Sequence, residues 1–206
     1  PYLQLPLQQG ADIVVHSATK YISGHADTIG GLIVGTRARM DCIREKYAHY
    51  YGPCLSPFNA WLFLRGFKTL GVRMDRHCST GLRIARWLEM HPAVRRVYYP
   101  GLAAHPGHAI AKRQMAAFGG MLAFEVKGGL AAGKTVIDNV QLCRLAVSLG
   151  DCDTLIQHPA AMTHSTYSKK QREAAGIADG LIRLSVGIEH ADDIMADLDR
   201  AMGRIT

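Results

Sequence analysis

The chain has 206 residues, 48% of them hydrophobic and 20% charged, with a net charge of +7. That length is enough for one sizeable core or two modest ones, and no apolar stretch reaches the ~20 residues of a membrane span, so a soluble globular protein with no membrane partner is expected. The positive charge does not point to nucleic acid, because Arg37, Arg39, Arg44, Arg65, Arg73, Arg83 and Arg95 are scattered among acidic residues with no basic run and no RNA-binding aromatic signature.

In chain order, residues 11–15 read as a buried strand and residues 30–34 as the next, joined by a turn over 24–31. Residues 37–47 read as a helix. Residues 57–90 carry helical periodicity, with Phe58, Trp61, Leu62 and Arg65 followed by Leu82, Ala85 and Leu88, and Gly66 to Gly71 predict a bend between them. A strand at 94–98, a helix at 108–115, a strand at 121–126 and a helix at 131–140 follow. An apolar run at 142–147, a strand at 182–186 and a helix at 191–202 complete the pattern. Strands alternating with helices make an α/β architecture. A boundary near Gly71 divides it into residues 1–70 and 71–206.

The five cysteines, Cys42, Cys54, Cys78, Cys143 and Cys152, are odd in number and lack C-x-x-C spacing, which reads as reduced thiols in a cytoplasmic protein. His105 and His108 flank the helix-breaking Pro106-Gly107 and fit a solvated loop better than a metal site. No metal is expected.

Two segments carry phosphate-binding patterns. In the first, an apolar run ends in His16-Ser17-Ala18-Thr19-Lys20. Hydroxyls beyond a strand end can donate to a phosphate while lysine enters the same pocket, and a desolvated lysine amine forms a Schiff base with an aldehyde such as pyridoxal phosphate. The plainer alternative is a lysine at a strand exit that points into water. In the second, Gly128-Gly129-Leu130-Ala131-Ala132-Gly133-Lys134-Thr135 satisfies the G-x-x-x-x-G-K-[ST] phosphate-loop pattern between a strand and a helix. A nucleotide-binding protein would also need a downstream strand ending in Asp for magnesium, and the nearest candidate, 145–151, passes through Ser148 and Gly150 before reaching Asp151. Leu130-Ala131-Ala132 also reads as the first turn of an amphipathic helix, with Lys134 in solvent.

The whole chain resembles the Cys/Met-metabolism family of pyridoxal-phosphate enzymes, and within it the methionine γ-lyase branch. Three separated blocks carry the resemblance: PYLQLPLQQGADIVVHSATKYISGHADTIGG, LSPFNAWLFLRGFKTLGVRMDRH, and AVSLGDCDTLIQHPAAMTHSTYS with GLIRLSVGIEHADDI. It implies the aspartate aminotransferase-like fold, with residues 1–70 as the C-terminal part of the large pyridoxal-phosphate domain and 71–206 as the smaller α/β domain. It also implies that the Gly-Gly stretch at 128–129 binds no phosphate. Family members are about twice as long, so the chain reads as a C-terminal half.

By resemblance, Lys20 holds the cofactor and moves the substrate α-proton, and Ser17 and Thr19 bind its phosphate. Arg183 lies in an otherwise apolar strand, where a guanidinium needs a partner; its planar fork suits a substrate carboxylate, and an internal ion pair is the alternative. Ser148 matches the position whose backbone helps hold that carboxylate. At Val147, cystathionine γ-lyases tend to carry Glu, and an apolar residue there suits a methylthio group. The implied reaction is γ-elimination of methionine to methanethiol, 2-oxobutanoate and ammonia. The alternatives are acylhomoserine sulfhydrylase, cystathionine γ-synthase or cystathionine γ-lyase chemistry. Ala48-His49 stands where many bacterial methionine γ-lyases carry Lys-Asp before the L-S-P turn, a departure that bears on methionine preference. The family further implies a homotetramer built from catalytic dimers. Its pyridinium-pairing Asp, ring-stacking Tyr, catalytic Tyr and the phosphate-reaching Tyr and Arg of a neighbouring subunit all lie upstream of Pro1.

Overall fold

The computed structural model describes residues 1–205. Two sheets organise it. Strands β1 (Ile13–Ser17) and β2 (Gly31–Gly35) form an antiparallel pair, with Val15 opposite Ile33. Strands β3 (Val94–Tyr98), β4 (Met121–Val126), β5 (Arg144–Leu145), β6 (Leu155–Gln157) and β7 (Leu181–Ser185) form the second, in the order β3-β4-β7-β6-β5. All neighbours there are antiparallel except β5 and β6. The α/β class holds, with a mixed sheet.

Between the sheets the chain is helical. Helix α1 (Arg37–Cys42) runs through a π-turn (Ile43–Ala48) into α2 (His49–Tyr51), four residues past the expected end, and stops at Gly52, whose φ of +63° ends a helix at little cost. Helices α3 (Pro57–Phe67) and α4 (Leu70–Met90) fill the long periodic stretch and break at Lys68-Thr69, within the expected bend. Ser56 caps α3 by accepting from the Asn59 N–H at 3.1 Å, and Pro57 supplies a first-turn residue with no N–H to satisfy. The remaining helices are α5 (His108–Gln114), α6 (Gly129–Asn139), α7 (Lys169–Ala174) and α8 (Ala191–Met202).

The main core lies on one face of the larger sheet. Alternation puts Leu122, Phe124 and Val126 of β4 and Ile182 and Leu184 of β7 on that face, against Ile84 and Leu88 of α4, Val136 of α6 and Ile194 and Leu198 of α8. Fully burying each such side chain contributes about 1.5–3 kcal/mol. The same period of two sends Arg183 and Ser185 to the opposite face. Residues 1–72 bury far less: their own cluster is Ala18, Ile22 and Phe63, while Val15, Ile29, Phe58, Leu64 and Val72 are each at least 66% exposed.

Two elements were not expected. Strand β6 is three buried residues, too short to show a period. Helix α7 has no apolar stripe, but its Ser168/Gln171 capping box is a signal that the sequence does carry. The apolar run at 142–147 contributes only the two-residue β5, because Asp197 of α8 takes the N–H groups of Gln141, Leu142 and Cys143 and holds that backbone out of the ladder.

Candidate active site

Lys20 lies in a π-turn (Ala18–Ile22) that begins where β1 ends, with φ −90° and ψ −130° at Lys20 itself. Around the turn, the Ser23 N–H donates to the Ala18 carbonyl and the Gly24 N–H to the Lys20 carbonyl. The half-buried Lys20 side chain lines a cavity of about 380 Å³ together with His16, Ser17, Tyr21, Met74 and Gly120. Its Nζ donates to the Ser148 hydroxyl at 3.1 Å.

The loop after β5 meets this turn. Gly150 has a φ of +79°, and a Cβ there would sit 2.7 Å from the Tyr21 nitrogen, so only glycine permits so close an approach. The Gly150 N–H donates to the Ser185 hydroxyl at 2.9 Å, tying the loop to the outer face of β7. From the same strand Arg183 reaches the loop, its Nη2 donating to the Val147 carbonyl at 2.7 Å and the Ser148 carbonyl at 2.6 Å. Among the described residues no carboxylate pairs with Arg183, its Nε is buried without a partner, and Nη1 makes no hydrogen bond. Among the described residues Arg183 therefore forms no internal ion pair.

Lys20, Ser148 and Arg183 thus meet, although they are far apart in sequence. Ser17, an exposed residue, joins Lys20 at the cavity. Thr19 does not line that cavity; its hydroxyl accepts from the Gly30 N–H at 3.0 Å and donates to the Gly30 carbonyl at 3.3 Å, closing the β1–β2 connection. Val147 contributes a carbonyl to Arg183, while its residue surface is 56% exposed.

Several residues missed by the sequence reading hold the site. Arg73, grouped above with scattered surface bases, is only 4% exposed and donates to the Tyr21 and Ile22 carbonyls just after Lys20. Tyr21 stands edge-on to the buried His77 ring at 5.2 Å, and burial pushes its phenol up to about 12. His77 itself is held below the usual imidazole range by burial.

The phosphate-loop reading of 128–135 is overturned. Helix α6 already begins at Gly129, so Lys134 lies inside the helix and is exposed, and the Thr135 hydroxyl donates back to the Ala131 carbonyl at 3.1 Å. A stretch already wound into helix from Gly129 is not the open loop of N–H groups that cradles a phosphate.

The residues at Lys20 fit an aldehyde cofactor carrying a phosphate. Among the described residues the amine has no carboxylate partner and only a neutral hydroxyl beside it, and a hydroxyl-bearing strand end lines the same cavity. Comparison with known proteins agrees. Residues 1–203 match the model of the family described as Cys/Met metabolism PLP-dependent enzyme. The chain is 55% identical over 206 residues to an L-methionine gamma-lyase of Fusobacterium nucleatum subsp. polymorphum, covering all of this chain and 52% of that protein. It is 52% identical over 206 residues to an L-methionine gamma-lyase of Treponema denticola, covering all of this chain and 51% of that one. Its fold matches the crystal structure of cystathionine gamma synthase from Xanthomonas oryzae pv. oryzae in complex with aminoacrylate and cysteine, with a TM-score of 0.93 and 48% identity over 99% of this chain and 53% of that one. The chain spans about half the length of the relatives it matches. With the lysine turn, the arginine and the full-length match in agreement, the chain belongs to the Cys/Met-metabolism family of pyridoxal-phosphate-dependent enzymes.

Proposed function

We propose that this chain supplies the cofactor lysine and the carboxylate-binding arginine of an enzyme that converts L-methionine and water to methanethiol, 2-oxobutanoate and ammonia. One observation carries the reading of the site: Ser148 takes a hydrogen bond from Lys20 Nζ on its hydroxyl and one from Arg183 on its carbonyl. An amino acid whose amino group meets the lysine is then within reach of the arginine with its carboxylate.

Lys20 would hold pyridoxal phosphate covalently and Ser17 would take the phosphate, which Thr19 would join by turning its hydroxyl away from the Gly30 carbonyl. When bound, the cofactor would supply an electron sink that acidifies the substrate Cα–H and then Cβ–H, which is what allows the γ-substituent to leave. The Lys20 Nζ would be the base that takes the Cα proton, with the Ser148 hydroxyl orienting it. Arg183 keeps Nη1 for the carboxylate while the Val147 and Ser148 carbonyls, both on Nη2, fix its plane. Val147 offers no charge to a distal substrate group, which favours a thioether over an ammonium.

The N-terminal residues up to about Gly71 are assigned to the cofactor domain and the rest to the smaller domain. Their exposed apolar surface supports a further half of the protein, and neighbouring subunits of a homotetramer, as its cover. Five free cysteines support a cytoplasmic location, and no helix of the described residues is long and apolar enough to cross a membrane.

The test uses the longer protein that contains this chain. Visible absorbance, borohydride reduction and peptide mapping should place the cofactor on Lys20, with Lys20→Ala colourless. 2-Oxobutanoate release should then be measured for methionine and cystathionine, and homocysteine formation for an O-acylhomoserine with sulfide as acceptor. A kcat/KM for the acylhomoserine above that for methionine would move the assignment to the synthase chemistry that Ala48-His49 leaves open.

A further inference from the structure

Arg73 occupies the first turn of α4 with all but 4% of its surface buried, yet no carboxylate pairs with it among the described residues. Instead Nε donates to the Thr69 hydroxyl at 3.0 Å, Nη1 to the Tyr21 carbonyl at 2.8 Å, and Nη2 to the Gly66 carbonyl at 2.9 Å and the Ile22 carbonyl at 3.4 Å. A buried cation is costly, and every hydrogen bond that offsets it here comes from a carbonyl or a hydroxyl, with Asp151 adding a longer-range Coulombic attraction, in a directional arrangement that a planar fork can satisfy and an ammonium cannot.

The slot around the guanidinium is made by glycine. A Cβ on Gly24 would fall 2.0 Å from Arg73 Nη1, and one on Gly66 would fall 2.2 Å from the Ser23 carbonyl oxygen. Any side chain at either place would push the lysine turn away from the α3–α4 junction. From the other side Gly150 presses on the Tyr21 nitrogen. The peptides that follow Lys20 are therefore held between two fixed bodies, and Lys20 ψ, far from helical at −130°, is set by where they lie.

We propose that Arg73 is a positioning residue for Lys20, fixing the Tyr21 and Ile22 peptides so that the amine projects toward Ser148. This rests on Lys20 being the cofactor lysine. A brace that merely joined α3 to α4 would need the bonds to Gly66 and Thr69 but not those to Tyr21 and Ile22.

The experiment compares Arg73→Lys, Thr69→Val and Thr69→Ser in the full-length protein. Arg73→Lys keeps the charge and loses the fork, Thr69→Val removes the hydroxyl that aims Nε, and Thr69→Ser keeps it. Hydrogen exchange of the cofactor-free protein should show the Ser23 and Gly24 amides exchanging at least about ten-fold faster in Arg73→Lys, with the β4–β7 ladder unchanged. In the holoenzyme kcat for methionine should fall by about ten-fold or more while KM stays within about three-fold, since displacement of a reacting group costs rate more than binding. Thr69→Val should move both readouts the same way by less, and Thr69→Ser should restore them. Should Arg73→Lys fail to fold, the Thr69 pair decides. Unchanged exchange at Ser23 and Gly24, or unchanged kcat, in the folded variants overturns the proposal. Reduced cofactor mapped to another lysine in the wild type would overturn the Lys20 reading instead; mapped to Lys20 with kcat unmoved, it leaves that reading standing and removes Arg73 alone.

Discussion

Arg183 Nη2 donates to the Ser148 carbonyl at 2.6 Å, so the arginine proposed to face the substrate carboxylate is set by the same residue whose hydroxyl meets Lys20. The guanidinium plane, not just its charge, is what the loop specifies. Arg183→Lys should therefore weaken every amino-acid substrate alike, by about 2–3 kcal/mol in apparent binding, with little change in their ranking. Val147→Glu should do the reverse, penalising methionine while offering cystathionine's distal ammonium a partner. The ratio of kcat/KM for methionine to that for cystathionine reads both. A ratio unmoved by Val147→Glu but shifted by Arg183→Lys would mean that the substrate lies the other way round.

Gly150→Ala should disrupt the meeting of the two segments. The added Cβ lies 2.7 Å from the Tyr21 nitrogen and 3.1 Å from the Lys20 carbonyl carbon, on a backbone at φ +79°. A loss of about 2 kcal/mol or more is expected from strain and displacement together, along with reduced cofactor content. Thermal unfolding and visible absorbance per protomer measure it; wild-type values for both would show that the loop yields without moving the lysine.

Asp197 anchors the stretch that leads into that loop. Burial alone would raise its carboxyl pKa, but the N–H groups of Cys143, Gln141 and Leu142 and the Arg200 guanidinium outweigh this and hold it below the usual range. A carboxyl with a depressed folded pKa stabilises above its unfolded value, near pH 4, and that contribution is lost as the pH falls through the folded value. Asp197→Asn should thus cost about 1–3 kcal/mol at pH 7, and the gap to wild type should close below about pH 4. Denaturant midpoints across that range test it, and a gap that persists in acid would trace the loss to packing rather than charge.

Lys134→Ala should leave turnover within a few-fold of wild type, because the side chain is exposed on α6 and touches nothing in the site. ATP binding abolished by this change would restore the phosphate-loop reading.

Strong periodicity and clear breakers made much of the fold legible. The limits of β3, β4 and α8 follow the sequence pattern residue for residue, and Gly66 to Gly71 marks the break between α3 and α4. Strand β6 escaped because Leu155, Ile156 and Gln157 are all buried and alternate with nothing. Lys20 stood out by the hydroxyl-bearing strand end that precedes it, and Arg183 as a cation within an apolar run. Arg73 did not, since its partners Tyr21 and Ile22 are more than 50 positions away and the residues beside it look like any amphipathic helix. The Thr19 hydroxyl was legible as a strand-end group, but its engagement with Gly30 depends on the β1–β2 pairing and has no local signature.

The hydrogen bond between Lys20 and Ser148 closes across 128 positions, whereas β3 with β4 and α6 with α8 pair across much shorter separations. Contacts of such long sequence separation form after local ones, because closing the intervening chain costs entropy that only completed packing offsets. Uptake of the cofactor's colour would then mark the last stage of folding, and its time course would report when the two ends of the chain have found each other.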